Sequence, residues 1–295
     1  MQRRCFLAEA TALLCLSTNK TFAQINKETI PMQVSKPRYA MSEDGTKIAF
    51  WSNGNGPVII MVVGAFNDHN TGADLAAELT RSYTVVTYDR RGRGASGDAP
   101  TYSTDREVED LTAILEAVGG DADVLGFSSG ASLVLMAAAE GIPLSKLILV
   151  EAPWMISEAR PRPDLDLEAS LRELVAKGQP GEAVELFQRD YIGMPEGVIA
   201  QMRNAPFRPF MESMAQTLSY EAAIMRDLTL PEGLAVKVDQ PVLLLYGEKS
   251  PSWMGETAAK IAGELSHGRH AEVAGIGHDL TVDILPHIEG FLEAN

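Results

Sequence analysis

Residues 122–125, Ala-Asp-Val-Leu, make a short apolar run. Gly126-Phe127-Ser128-Ser129-Gly130 follows at once, and an alanine-rich stretch of helical character comes next. A strand that passes into a helix over so few residues must bend its backbone sharply. The residue at the apex, Ser128, is then held in a strained conformation. Side chains two positions to either side would collide, so glycine is needed at both. The turn predicts an exposed hydroxyl, Ser128 Oγ, at the edge of a sheet. The five-residue pattern recurs by chance; its weight comes from the strand before it and the helix after it.

The rest of the chain repeats the same alternation. Residues 38–41 and 47–51 flank Glu43-Asp44-Gly45 and read as a hairpin. Residues 58–63 and 83–88 are apolar throughout or nearly so, as suits strands covered on both faces. Helical spacing follows each of them, over 71–82 and 106–118, and again over 131–139 after the serine turn. A strand at 147–150 ends this half. From Pro153 to about Gly233 only helical periodicity and loop signals occur, with helices expected over 165–177, 181–191, 195–203 and 209–228. Strand pattern returns at 241–246 and 271–274, with helices over 254–265 and 280–292. The implied fold class is α/β, a mostly parallel, doubly wound sheet with helices on both faces and an all-helical insertion.

The front of the chain reads as an address rather than as structure. Arg3-Arg4 precede a mostly apolar run from Phe6 to Leu16, and Thr21-Phe22-Ala23 is an acceptable cleavage site before Gln24. Arg3-Arg4-Cys5-Phe6-Leu7 resembles the twin-arginine export pattern, although Glu9 interrupts the apolar run. Residues 1–23 are therefore expected to be a signal peptide, and the protein periplasmic or secreted. The segment is too short and interrupted for stable membrane insertion. Both cysteines, Cys5 and Cys15, lie inside it. A mature chain beginning at Gln24 would have neither a cysteine nucleophile nor thiolate-bound metal. The net charge of −15 argues against nucleic acid as a partner. No cofactor and no metal site is expected, and the oligomeric state is left open.

A serine hydroxyl needs a base to take its proton, and the base needs an acceptor to orient it. Of the five histidines, only His278 sits in a Gly-Ile-Gly-His loop directly after the last predicted strand. The C-terminal ends of strands in an open α/β sheet share one edge, so this loop can reach Ser128. His267 and His270 are expected on the surface beside a turn, and His287 on a half-buried helix face. For His69, lining the site and plain exposure are both open.

Four ordered motifs carry a resemblance. They are the serine turn, Asp89-Arg90-Arg91-Gly92-Arg93-Gly94-Ala95-Ser96, Pro241 to Gly247, and Gly275-Ile276-Gly277-His278. From about residue 38 to 293 the chain resembles an α/β-hydrolase-fold protein of the capped, esterase-like kind. The resemblance implies a core of residues 24–152 and 236–295 with a helical cap at 153–235. Asp89 and Arg91 are then structural, tying their turn together. Met194, Met202, Met211, Met214, Met225, Phe187, Phe207, Phe210 and Trp154 are either cap core or an adaptable apolar ceiling over Ser128.

The chain departs from the family pattern twice. Where relatives usually carry His-Gly after the third strand, it has Val63-Gly64-Ala65-Phe66. An oxyanion hole uses backbone N–H groups, so Ser129 and Ala65 are the expected donors, with Phe66 as substitute for Ala65. The triad acid usually stands as Gly-x-x-Asp after the penultimate strand, but Gly247-Glu248-Lys249-Ser250 puts a serine there. Some fold relatives take the acid from the end of the strand after the elbow helix. That position is Glu151, the preferred acid, with Glu248 as the alternative. The function implied is hydrolysis of a small to medium, largely apolar carboxylic ester by Ser128, His278 and Glu151 through an acyl-enzyme. Other chemistry on the same frame (carbon–carbon bond hydrolysis, cofactor-free perhydrolysis) and a non-catalytic small-molecule receptor are the alternatives. Haloalkane and epoxide hydrolysis are discounted, because they need an aspartate where this turn presents serine.

Overall fold

The computed structural model describes residues 36–294, so the expected signal segment 1–23 lies outside the described residues. Eight strands form one sheet: β1 (Arg38–Met41), β2 (Lys47–Gly54), β3 (Val58–Val62), β4 (Thr84–Tyr88), β5 (Asp123–Phe127), β6 (Leu147–Val150), β7 (Val242–Gly247) and β8 (Gly268–Val273). Their spatial order is β1-β2-β4-β3-β5-β6-β7-β8. The first two pairings are antiparallel and the remaining five are parallel. Because β3 lies between β4 and β5, the chain leaves it to one side and returns on the other. A crevice opens at such a switch point, beyond the C-terminal ends of the strands.

The apolar runs are continuous because each strand is packed on both faces. In β3, Ile59 and Met61 face one core layer and Ile60 faces the other, together with Val62. The first layer is closed by α1 (Ala73–Leu79) and α10 (Leu285–Leu292). The second is closed by α2 (Thr104–Ala117), α3 (Ser129–Ala139) and α9 (Ser252–Glu264). Small residues let α3 sit close to the sheet: Ala131, Ala137 and Ala138 are all buried.

Between β6 and β7 the named elements are all helical. They include α4 (Leu167–Ala176), α5 (Pro180–Leu186), α6 (Glu196–Met202), α7 (Arg208–Ser213) and α8 (Leu218–Met225). They build a third apolar cluster of their own, reaching Ala65 and Phe66 of the core. Two expected helices differ in form. The one expected over 181–191 widens after Leu186 into a π-helical turn, Phe187–Ile192. The one expected over 209–228 is broken by a 3-10 turn at Ala215–Thr217 and stops at Met225. Arg226 and Leu228 then take positive φ values of 50° and 64°. Leu228 is thereby buried in the cap cluster, and its carbonyl receives the Met155 N–H at 2.7 Å. The last strand begins earlier than expected, so His270 lies on β8, exposed and opposite Leu244, rather than at a turn.

Candidate active site

The turn after β5 has the strained geometry its glycines imply. Ser128 sits at φ 56°, ψ −128°. A Cβ on Gly126 would meet the Ala131 Cα at 2.6 Å, and one on Gly130 would overlap the carbonyl oxygen of Val62. Both glycines are therefore fixed by backbone passing close by. Ser128 is half-buried at the head of α3, and the Ser129 N–H that follows belongs to the first turn of that helix. First-turn N–H groups have no partner within their helix and carry its positive end.

His278 Nε2 lies 3.1 Å from Ser128 Oγ, and its Nδ1 contacts Glu151 Oε2. Phe127 packs against the imidazole with ring centroids 4.9 Å apart. Glu151 stands just past β6 in a positive-φ conformation, its side chain fully buried. Its other oxygen accepts the Gly247 N–H at 2.9 Å and the Ser250 hydroxyl. So Ser128, His278 and Glu151 meet in hydrogen-bonded sequence, although they come from three separate loops.

Glu248 is elsewhere. Its Oε2 accepts the Gly275 N–H at 2.7 Å, while the neighbouring Lys249 amide donates to Ile276 O at 2.8 Å. These bonds stitch the loop after β7 to the histidine loop. Ser250, at the position expected for the acid, is instead a donor to Glu151. The sequence marks the departure at this position but not the partner.

Beyond β3, the missing Cβ of Gly64 would lie 2.8 Å from both Ser128 Cβ and Ser129 Oγ. The Gly64–Ala65 peptide is thus placed against the serine turn. Arg93 Nη1 donates to the Gly64 carbonyl at 2.6 Å, and Asn67 Nδ2 to the Ala65 carbonyl at 2.6 Å. Phe66 turns up toward the cap and meets Phe187 edge-on, centroids 5.6 Å apart.

His69 is not free. Its Nδ1 is 2.7 Å from Asp89 Oδ1 and its ring stacks on Trp51 at 3.6 Å. Asp89 also accepts the Ala95 N–H at 2.8 Å, and Arg91 forks onto Asp110 with both bonds at 2.7 Å. His287 is half-buried on α10 and His267 is exposed. The apolar cap residues separate clearly. Phe187, Met194, Met202, Met211 and Met225 belong to the cap cluster, with Phe207 against it. Trp154 belongs to the core layer against α3, and Phe210 is exposed. Among the described residues no cluster of His, Cys, Asp and Glu could hold a metal, and no helix is long and apolar enough to cross a membrane.

A chain with this sheet, this serine turn and this inserted cap belongs to the Alpha/beta hydrolase family, which it matches over residues 59–289. An alpha/beta hydrolase from Sphaerobacter thermophilus DSM 20745 is 41% identical. It superposes with a TM-score of 0.82, over 86% of this chain and 100% of that one. Esterase RhEst1 from Rhodococcus sp. ECU1013 shares the fold at 19% identity, with a TM-score of 0.64 over 88% and 99% of the two chains. The enol-lactonase from Burkholderia xenovorans LB400 does so at 20% identity and a TM-score of 0.59, over 86% and 96%. The uncharacterized hydrolase YraK of Bacillus subtilis is 36% identical over 95 residues, 31% of this chain. Matches to the curated relatives are short, spanning 35% and 40% of those proteins' lengths.

Proposed function

We propose that the protein is a serine hydrolase that cleaves a carboxylic ester of a small to medium, largely apolar substrate. One observation carries the reading: a strained, half-buried serine hydroxyl 3.1 Å from an imidazole whose far nitrogen is held by a buried carboxylate. Ser128 Oγ attacks the carbonyl carbon while its proton passes to His278 Nε2. Glu151 stabilises the imidazolium that forms. The Ala65 and Ser129 amides receive the oxyanion of the tetrahedral intermediate. His278 returns its proton to the departing alcohol, leaving an acyl group on Ser128. Water activated by the same imidazole then releases the acid.

The apolar cap favours a hydrophobic acyl group, since Phe187, Met194, Met202, Met211 and Met225 belong to one cluster against which Ala65 and Phe66 pack. Esterase and lactonase relatives of the same fold are compatible with this choice of substrate class. A panel of activated esters of increasing acyl length tests the reading. Turnover with short to medium acyl chains that falls to background in Ser128→Ala is expected. Undiminished turnover in Ser128→Ala overturns it.

A further inference from the structure

Behind the loop that follows β3 lies a buried cluster of four charges. Arg90 forks onto Glu107 of α2, with bonds of 2.6 and 2.7 Å, and Glu107 also accepts the Tyr102 hydroxyl at 2.8 Å. The second carboxylate comes from the cap. Glu221 of α8 is fully buried, and its Oε1 accepts from Arg90 Nη1 at 2.9 Å and from Arg93 Nη2. Both guanidiniums also donate to one short stretch of backbone, while Arg93 Nε is left without a partner among the described residues. Arg90 Nη1 reaches Val63 O at 3.1 Å; Arg93 Nη1 reaches Gly64 O at 2.6 Å and Asn67 O at 3.2 Å.

This grip sets a direction. In a trans peptide the C=O and the following N–H point opposite ways. Arg93 holds the Gly64 oxygen from behind, so the Ala65 N–H of the same peptide faces away from Arg93. Gly64 abuts Ser128. Arg93 in turn depends on Glu221: burial and the like charge of Arg90 pull its pKa down, and Glu221 opposes both. A buried guanidinium without its counter-charge would turn toward other acceptors and release Gly64.

We propose that Glu221 is a positioning residue for the oxyanion hole, acting through Arg93 to aim the Ala65 amide at the reacting carbonyl. The proposal rests on the reading of Ser128 as nucleophile and makes cap docking a condition of a formed oxyanion hole. Glu221→Gln keeps the shape and removes the charge. Arg93→Lys keeps the charge but loses the fork that spans Glu221 and Gly64. Asp98→Asn is the comparison: it takes the charge from a different cap–core bond, the one Asp98 accepts from the Tyr220 hydroxyl at 2.9 Å, and leaves Arg93 alone.

Each purified protein is assayed for kcat and KM on an oxygen ester and on the matching thionoester, whose sulfur is a poor acceptor for the amide donors. Melting temperature is read in parallel. Both Glu221→Gln and Arg93→Lys are expected to lose about 10- to 100-fold in kcat with KM changed less than about threefold, and to discriminate less between oxygen and sulfur. Asp98→Asn is expected to keep the wild-type discrimination. If Glu221→Gln does not fold, Arg93→Lys carries the test by itself. Wild-type discrimination in whichever of these two folds, or equal losses in Asp98→Asn, overturns the proposal. Ser128→Ala is the control for the underlying reading; turnover that survives there overturns both.

Discussion

In the proposed mechanism, Glu151 is the residue on which the chemistry turns. Its carboxylate carries three bonds at once: His278 on one oxygen, the Gly247 amide and the Ser250 hydroxyl on the other. A carboxylate fixed on both oxygens cannot rotate away from the imidazole, which is what orienting a base requires. Glu151→Gln should therefore cost about 10²- to 10⁴-fold in kcat. Glu248→Gln touches only the bond to the Gly275 amide and should stay within about tenfold of wild type, as loss of one hydrogen bond of about 1 kcal/mol would give. Steady-state kinetics on one activated ester decides between them, and the opposite order would assign the acid to Glu248. Ser128 and His278 were legible from local context, a strand-glycine turn and a post-strand loop. Glu151 was legible only through resemblance to a family. The Ser250 bond was not legible, because a hydroxyl 99 positions from its acceptor leaves no trace in local pattern.

Elements were most legible where both faces of a strand are covered. β3, β4, β6 and β7 are near-continuous apolar runs because core layers press on both sides. Helix limits in the cap were less so. No local signal ends α8 at Met225; the stop is imposed when Leu228 buries itself against the cap and pairs with Met155. The junction of β5 and α3 is the least forgiving joint. The Gly130 Cα lies so near Val62 and Val63 backbone that a methyl group has no room. Gly130→Ala should lower stability by about 2–4 kcal/mol, because backbone cannot move aside as a flexible side chain would. Chemical denaturation checks this; a midpoint equal to wild type would mean that β3 and α3 can separate at small cost.

At the scale of the whole molecule, cap and core are joined through buried charge as well as apolar packing. Glu107 shows how this should respond to pH. Burial pushes its carboxyl up, but Arg90 and Arg93 outweigh burial and hold it below its ordinary 4.5. A carboxylate depressed in the folded state stabilises the fold above its unfolded pKa and ceases to do so as pH falls through the folded value. Glu107→Gln should thus be less stable than wild type by about 3–5 kcal/mol at neutral pH. The gap should narrow once the medium is more acid than about pH 4. Melting curves across that range test the sign; a gap that widens in acid would contradict it. Neither Glu107 nor Glu221 stood out in the sequence, where a helical glutamate reads as a solvated surface charge. The central claim is that one oxygen in this folded frame is a working nucleophile. Intact-mass and peptide mapping after treatment with a fluorophosphonate test it most directly. The account predicts a single phosphonyl adduct on Ser128, absent in Ser128→Ala and slowed by orders of magnitude in His278→Ala; an unlabelled protein, or an adduct on any other residue, would contradict it.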